Sequence, residues 1–384
     1  MSFRHIYWLL LTILHLVALP YLVLLSLKQR YKNSVKARFL GFSNPKPKDS
    51  DVWFHACSLG ETAALSPLIE YFADKKLLIT TTTETGFEKA KSYNVTSRYL
   101  PFETLLWMWA PKTKVLVVME AELWLLLFSI AKSRGAKTLL INARISNRSV
   151  EKYKKFSWLY RYIFACIDEV YAQSSIDKER LESLGATNVK VSGNIKLAQI
   201  PKVSRTLDKP NDLVITAAST HKGEEEAIIE AYLRFGRGKL ILVPRHPERF
   251  ESVSKMMQKI ANKNGKTFER FSQVKTLESD MILVDVMGEL NNIYKITDLV
   301  VLGGSFEPIG GHNPLEPLYF GCRIVSGEHV FNQKLLFDAM ENVHFSTLSK
   351  LDIAFEKALA SKSATLKQEC DIESIINSIS KGIK

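Results

Sequence analysis

Only four of the 384 residues are cysteine, at positions 57, 166, 322 and 370, and none of them stands in C-x-x-C spacing. That scarcity argues against a disulfide framework and against a thiolate zinc site, and it fits a reducing compartment. Short-period repeats and low-complexity tracts are missing. So is any signature of an RNA- or DNA-binding module. Acidic residues are the minority charge, with 40 Asp and Glu against 52 Lys and Arg, a formal surplus of +12. The surplus favours an anionic partner: nucleic acid, an acidic membrane surface, or a phosphorylated or carboxylated substrate. Hydrophobic residues at 46% and charged residues at 24% are ordinary globular values, which excludes disorder, collagen and a polytopic membrane protein. The length suits two or three domains.

One long apolar run is present. Residues 6–27 are almost wholly hydrophobic, interrupted mildly by His15 and Pro20. Roughly 20 such residues are what a helix needs to cross a bilayer. Tyr7, Trp8 and Tyr31 fall where interfacial aromatics are expected. The run exceeds a usual signal-peptide core, and no small-x-small cleavage site precedes the basic stretch. Lys28, Arg30, Lys32, Lys36 and Arg38 follow at once, against Arg4 alone before it, so the positive-inside rule puts the bulk of the chain in the cytoplasm. The expectation is an anchor over residues 1–30, spanning the membrane or lying in its interface.

Beyond a turn-rich linker at 44–50, short β-rich runs alternate with amphipathic stretches. Strands are expected at 52–57, 77–82, 115–119, 138–142 and 169–172, with helices at 62–73, 84–92, 123–133 and 175–184 between them. A break at 198–212 carries Pro201 and Pro210. The pattern then restarts, with strands expected at 213–217, 240–243, 281–284, 299–302 and 323–326 and helices at 221–235 and 247–264. Such alternation predicts an α/β fold: two doubly wound, Rossmann-like domains, 31–198 and 199–384, each with a parallel sheet covered on both faces. Ligands are expected at the strand C-termini, in a crevice between the halves.

The chemistry-bearing motifs fall at those strand ends. Glu61 follows Ser58-Leu59-Gly60 at a strand-to-helix turn, a fitting place for a general base; a first-turn glutamate complementing the helix dipole is the competing reading. Glu120 and Glu122 follow a buried strand, where one could cap the next helix while the other faces the crevice. Arg144 and Arg148, with hydroxyls beside them, suit an anion or are ordinary surface arginines. Lys196 closes the first half. In the second half, residues 217–225 run from a small-residue strand end into a helix whose free amides could receive an anion. Arg245 lies between Pro244 and Pro247, which restrict its backbone. The strongest signal is residues 303–317, with four glycines in the nine residues 303–311, followed by Asn313, Pro314, Leu315 and Glu316. Glycines between strand and helix let the backbone approach a ligand closely. The segment is neither a dinucleotide fingerprint nor a P-loop. No cluster has metal-ligand spacing.

Seven motifs in series resemble the 3-deoxy-D-manno-octulosonic acid (Kdo) transferase family. They are His55-Ala56-x-Ser58-x-Gly60-Glu61, Glu120-x-Glu122-Leu123-Trp124, Asn142-Ala143-Arg144, Gly193-Asn194-Ile195-Lys196, Pro244-Arg245-His246-Pro247-Glu248-Arg249, Met287-Gly288-Glu289-Leu290, and Gly303-Gly304-Ser305 continuing to Gly310-Gly311-His312-Asn313-Pro314-Leu315-Glu316. The order is that of the family, over residues 5–340. Leu125-Leu126 replace its usual Pro-Asn, Ala218 stands where Gly is common, and Cys57 where a small aliphatic residue or alanine is usual.

The resemblance implies a GT-B glycosyltransferase: two Rossmann-like domains facing a cleft, with an N-terminal anchor, on the cytoplasmic face of a Gram-negative inner membrane. It implies Kdo transfer from CMP-Kdo to a lipid A precursor in lipopolysaccharide biosynthesis, with neither a metal nor a cofactor. The first domain would bind the acceptor and the second the donor. Glu61 matches the family's proton acceptor, and Glu122 and Lys196 its transition-state stabilisers. Pro244 and Arg245, Met287, Gly288 and Glu289, and Asn313, Pro314, Leu315 and Glu316 match its CMP-contacting segments. The membrane partner would include anionic lipids; nucleic acid is not expected. The competing classes are another GT-B transferase using a UDP-sugar and a membrane-tethered protein that binds an anionic ligand without catalysis.

Overall fold

The computed structural model describes residues 3–28, 31–41, 43–198, 201–274, 276–367 and 369–384. Arg30 of the basic run, and Gln199 and Ile200 of the expected break, lie outside them. The chain divides into two compact units, residues 1–199 with 369–384, and residues 200–368. Residues 369–384, which the sequence reading assigns to the second domain, thus belong to the first. The reason is the helix Ile372–Ile383, whose Ile375, Ile376 and Ile379 are buried in the core beneath the first sheet.

The first unit holds seven strands: β1 (Ser50–His55), β2 (Leu77–Thr81), β3 (Thr96–Tyr99), β4 (Thr113–Met119), β5 (Lys137–Ala143), β6 (Glu169–Ala172) and β7 (Val189–Val191). All pair in parallel in the order β3-β2-β1-β4-β5-β6-β7. Side chains alternate between faces, so Leu116 and Val118 enter one core while Val115, Val117 and Met119 enter the other. Burial on both faces explains why these strands read as continuous apolar runs. The order reverses at β1 and β4, so their C-terminal ends flank the topological switch point.

The second unit repeats the plan. Its strands are β8 (Val214–Thr220), β9 (Lys239–Pro244), β10 (Phe268–Arg270), β11 (Met281–Leu283), β12 (Leu299–Leu302), β13 (Arg323–Ser326), β14 (Met340–Glu341), β15 (Val343–Phe345) and β16 (Thr365–Leu366). Seven form a parallel sheet in the order β10-β11-β9-β8-β12-β13-β15, and β14 and β16 make a small antiparallel pair. The switch point lies between β8 and β12.

The helix expected at 62–73 is two, Leu59–Ala64 and Ser66–Tyr71, because Pro67 lacks an N–H and starts a new turn. The apolar N-terminal run forms one helix, α1 (Phe3–Leu25), long and apolar enough to cross a membrane.

Candidate functional site

In the first unit the switch point gathers three carboxylates. Ser58 caps the helix Leu59–Ala64, and Glu61 is its third residue. The Ser58 hydroxyl donates to Glu61 Oε1 at 2.8 Å, and the Cys57 N–H donates to Oε2 at 2.8 Å. With the Glu61 N–H donating to Ser58 Oγ at 3.4 Å, this is a variant of the capping box in which the carboxylate takes the N–H one residue before the cap; it fixes the carboxylate and leaves each oxygen a spare lone pair. Burial pushes the Glu61 carboxyl up; the two hydrogen bonds oppose this, and the charges of Glu120 and Glu122 add to it. Net, it lies above the usual carboxylate range.

Glu122 behaves oppositely. Burial would raise it, but the facing His55 imidazole, the Trp124 hydrogen bond and the nearby Arg38 charge outweigh burial and lower it. Trp124 Nε1 donates to its Oε2 at 2.7 Å, and the same oxygen lies 3.7 Å from Nε2 of the fully buried His55. On its other side, His55 Nδ1 lies 3.0 Å from the Thr80 carbonyl oxygen. Two carboxylates at one switch point are thus pushed apart in acidity, which is the arrangement of a base beside a permanent anion.

Lys196 reaches the site but pairs with Glu120, not Glu122, at 2.9 Å. Glu120 takes a left-handed backbone, φ 54°, at the end of β4, and Arg144 approaches its other oxygen at 3.7 Å. Lys196 is positioned by Asn142, whose Oδ1 accepts the Ile195 N–H at 3.0 Å, and by Asn194, whose Oδ1 accepts the Lys196 N–H at 3.1 Å. Asn142 Nδ2 is buried and unpartnered. Burial, with the Glu122 charge beside it, pushes the Cys57 thiol up to about 11, which disfavours the thiolate.

In the second unit β8 ends at Thr220, β9 at Pro244 and β12 at the glycine loop. A Cβ on Gly303 would lie 2.7 Å from the Ser219 carbonyl, and Gly304 has φ 67°. The crowding at Gly303 thus comes from the chain itself, where the sequence suggests the approach of a ligand. The loop is held by Glu224, fully buried, which accepts the N–H groups of His221 at 2.9 Å, Gly304 at 2.9 Å and Phe306 at 3.2 Å. The His221 amide, expected to be free for an anion, is therefore taken by the protein's own carboxylate. Burial raises Glu224, against the pull of those three N–H groups. One of its partners, His221, is three residues away, but the two in the glycine loop lie 80 and 82 positions away, so the local sequence does not show what Glu224 holds.

Above the loop, His221 Nε2 and His312 Nε2 lie 2.9 Å apart. His312 is lowered to about 4 by burial and by the neighbouring His221, Arg245 and His246, so it is neutral at physiological pH. Arg245 is exposed, forms no ion pair among the described residues, and donates its backbone N–H to the Thr220 carbonyl at 3.0 Å. Pro244 is buried at the end of β9. Glu316 is raised by burial, which the Asn313 amide at 3.4 Å and the Arg245 charge oppose. Asn313 Oδ1 accepts the Leu315 N–H at 3.0 Å, and Pro314 and Leu315 are buried. Met287 and Gly288 are exposed, and Gly288 has φ 85°. Glu289 is occupied: Arg205 holds both its oxygens, at 2.9 and 3.0 Å, and Asn292 donates at 2.8 Å. Among the described residues no three His, Cys, Asp or Glu side chains group as metal ligands.

Two doubly wound α/β domains in one chain, each with its polar groups gathered at a sheet's switch point, are the plan of a GT-B glycosyltransferase. A model of the family described as 3-deoxy-D-manno-octulosonic-acid transferase (kdotransferase) matches residues 32–199. The 3-deoxy-D-manno-octulosonic acid transferase of Haemophilus influenzae is 32% identical, over 94% of this chain and 91% of that protein. That of Bordetella pertussis is 30% identical, over 78% of this chain and 76% of its own. Among solved structures, the C-terminal CMP-Kdo binding domain of WaaA from Acinetobacter baumannii is 31% identical over 45% of this chain and 90% of its own, with a TM-score of 0.34. The chain belongs to the 3-deoxy-D-manno-octulosonic acid transferase family.

Proposed function

We propose that this glycosyltransferase transfers Kdo from CMP-Kdo to a hydroxyl of a lipid A precursor, without a metal, at the cytoplasmic leaflet of a Gram-negative inner membrane. Glu61 is the general base. As the acceptor oxygen attacks the anomeric carbon, its proton passes to the Glu61 carboxylate. The bond from that carbon to the donor phosphate breaks, and CMP departs with the electron pair. A nucleoside monophosphate is already a good leaving group, so the chemistry calls for cations and amide donors at the phosphate rather than a strong acid. In this reading Arg245 is the free cation for that task, with the glycine loop and the 313–316 segment beside it. Pro244, Met287 and Gly288 contact CMP through backbone and apolar surface. Glu289 acts through its Arg205 pair, by shaping the turn. The Glu122 carboxylate stabilises the oxocarbenium-like transition state, while Lys196, held by Glu120, supplies positive charge to the anionic groups of the donor. Residues 31–198 carry the acceptor and the part of 199–384 that forms the second unit carries the donor.

The observation that supports this reading most is Glu61 itself. It is a carboxylate at a sheet switch point, oriented by two donors and raised by burial, the direction that makes a carboxylate a stronger base. Calorimetric titration of the full chain with CMP and with UDP tests the donor assignment. CMP is expected to bind at least tenfold tighter. UDP binding as tightly as CMP would transfer the reading to a UDP-sugar enzyme.

A further inference from the structure

Helix α1 has the length and hydropathy of a membrane span, yet one face of it lies against the first unit, with His15 and Leu22 buried. Its buried and half-buried positions recur every three or four residues from Phe3 to Leu25. Phe3 stacks on Tyr162 with 4.1 Å between ring centres and meets Trp158 edge-on. One turn later Tyr7 donates to Glu103 at 2.7 Å, and Trp8 Nε1 to the Thr104 carbonyl at 3.1 Å. Two turns further, His15 Nδ1 meets Thr104 Oγ1 at 2.7 Å, its ring edge-on to Phe102. Leu22 is buried as well. From Phe3 to Leu22 the docked length is about 28 Å at 1.5 Å per residue, which nearly equals the roughly 30 Å of a bilayer's hydrocarbon core. A crossing helix would have to drag Glu103, Thr104 and their strand-end surroundings into that core, where polar backbone has no partners.

We propose that α1 does not cross the membrane but lies in the plane of one leaflet, and that it shares this face with helices Val150–Lys155 and Ser157–Phe164, the partner being an anionic lipid surface. The opposite face of α1 exposes Ile6, Leu10, Ile13, Val17 and Leu24. Next to it, joined through Phe3, are Phe156, Trp158 and Tyr162, exposed at 54%, 53% and 49%. Large aromatics left so open suit the headgroup level of a membrane. The segment 150–164 also carries Lys152, Lys154, Lys155 and Arg161, all exposed, against Glu151 alone. With Lys28, Lys32 and Lys36 beyond the other end of α1, cations flank the apolar stripe on both sides. That is the charge pattern of an in-plane anchor on anionic lipid. One of the two interruptions of the apolar run acquires a reason: His15 is a docking residue.

The inference rests on the membrane attachment proposed above and not on the sugar transferred. The test uses the full chain with mixed phosphatidylglycerol–phosphatidylcholine vesicles. A fluorescent unnatural amino acid replaces Leu10, Val17 or Leu24 in turn, and lipids brominated at different depths quench it. An in-plane helix puts all three at one shallow depth, within a few Å. A spanning helix separates Leu10 from Leu24 by about 21 Å, and that result overturns the proposal while leaving membrane attachment intact. A second arm joins Trp158→Ala with Tyr162→Ala, with melting temperature as the check on folding. Vesicle binding is expected to fall at least tenfold; unchanged binding by the folded double variant contradicts the shared face. A folded full chain that binds no vesicles would overturn both the in-plane helix and the membrane attachment.

Discussion

Replacing Glu61 with glutamine separates a catalytic carboxylate from a structural one. In the folded protein this side chain accepts from Cys57 N–H and from the Ser58 hydroxyl, both at 2.8 Å, and so closes the variant capping box. Glutamine serves that box as well as glutamate does. Its carbonyl oxygen still accepts the Cys57 N–H, and its amide can donate to Ser58 Oγ. What is lost is the negative charge near the helix N-terminus, about 0.3–1 kcal/mol of stability, and the basicity. General-base contributions run to roughly 10²–10⁴ in rate. Glu61→Gln should therefore lower turnover by at least a hundredfold or so, with CMP affinity nearly unchanged and a small shift in melting temperature. Glu61→Ala should lose the same turnover and also both hydrogen bonds, leaving the Cys57 N–H without its acceptor at a further cost of ~1–3 kcal/mol. The pH profile gives an independent reading. The base works only when ionised, and burial raises its carboxyl. The wild-type acid limb should thus lie above the usual carboxylate range and vanish from the residual activity of Glu61→Gln. A glutamine variant with wild-type turnover would refute the reasoning and leave Glu61 a helix cap only.

Arg245→Ala removes the exposed cation beside the glycine loop and should weaken CMP binding about 10- to 100-fold, as one charge-assisted hydrogen bond would; calorimetry reads it. Glu224→Gln leaves one acceptor oxygen for three N–H groups, so it should destabilise the protein by about 1–3 kcal/mol and raise the KM for the donor more than it lowers kcat. Burial alone would raise Glu169, but hydrogen bonds from Lys137, Lys190, Tyr171 and Ser378 hold it down to about 2. A depressed folded value means that this network stabilises fully above the unfolded value of roughly 4.3 and is lost as pH falls toward 2. Acid titration should release the helix Ile372–Ile383, which Ser378 ties to Glu169 at 2.8 Å, and Glu169→Gln should abolish that acid-dependent step, as hydrogen exchange in the helix would show.

Central apolar strands were legible because burial on both faces leaves few polar positions within them. The run expected at 299–302 is β12 to the residue, and that at 115–119 is β4 short of Thr113 and Lys114. Edge strands were not. Thr96–Tyr99, Val189–Val191 and Phe268–Arg270 are three or four residues long, with a charged residue in each, too short to show a period. The final helix carries its apolar stripe openly, but a stripe names no partner, and only the fold shows that it returns to the first sheet. The site divides in the same way. Ser58-x-x-Glu61 is a local pattern, so its placement at a helix start follows from sequence. The pairing of Lys196 with Glu120 depends on a left-handed glutamate and a contact 76 residues apart, and neither leaves a local trace. Glu289 matches its motif, but Arg205, 84 positions upstream, occupies its carboxylate.

The most direct test of the central claim is transfer itself. The purified full chain is mixed with CMP-Kdo and a lipid A precursor in detergent, with and without a strong chelator, and the lipid is weighed by mass spectrometry. The account predicts that the precursor gains the mass of Kdo units, with CMP released in equal amount, at the same rate in chelator. No mass gain from CMP-Kdo where a UDP-sugar does donate, or loss of activity in chelator that a divalent ion restores, would contradict it.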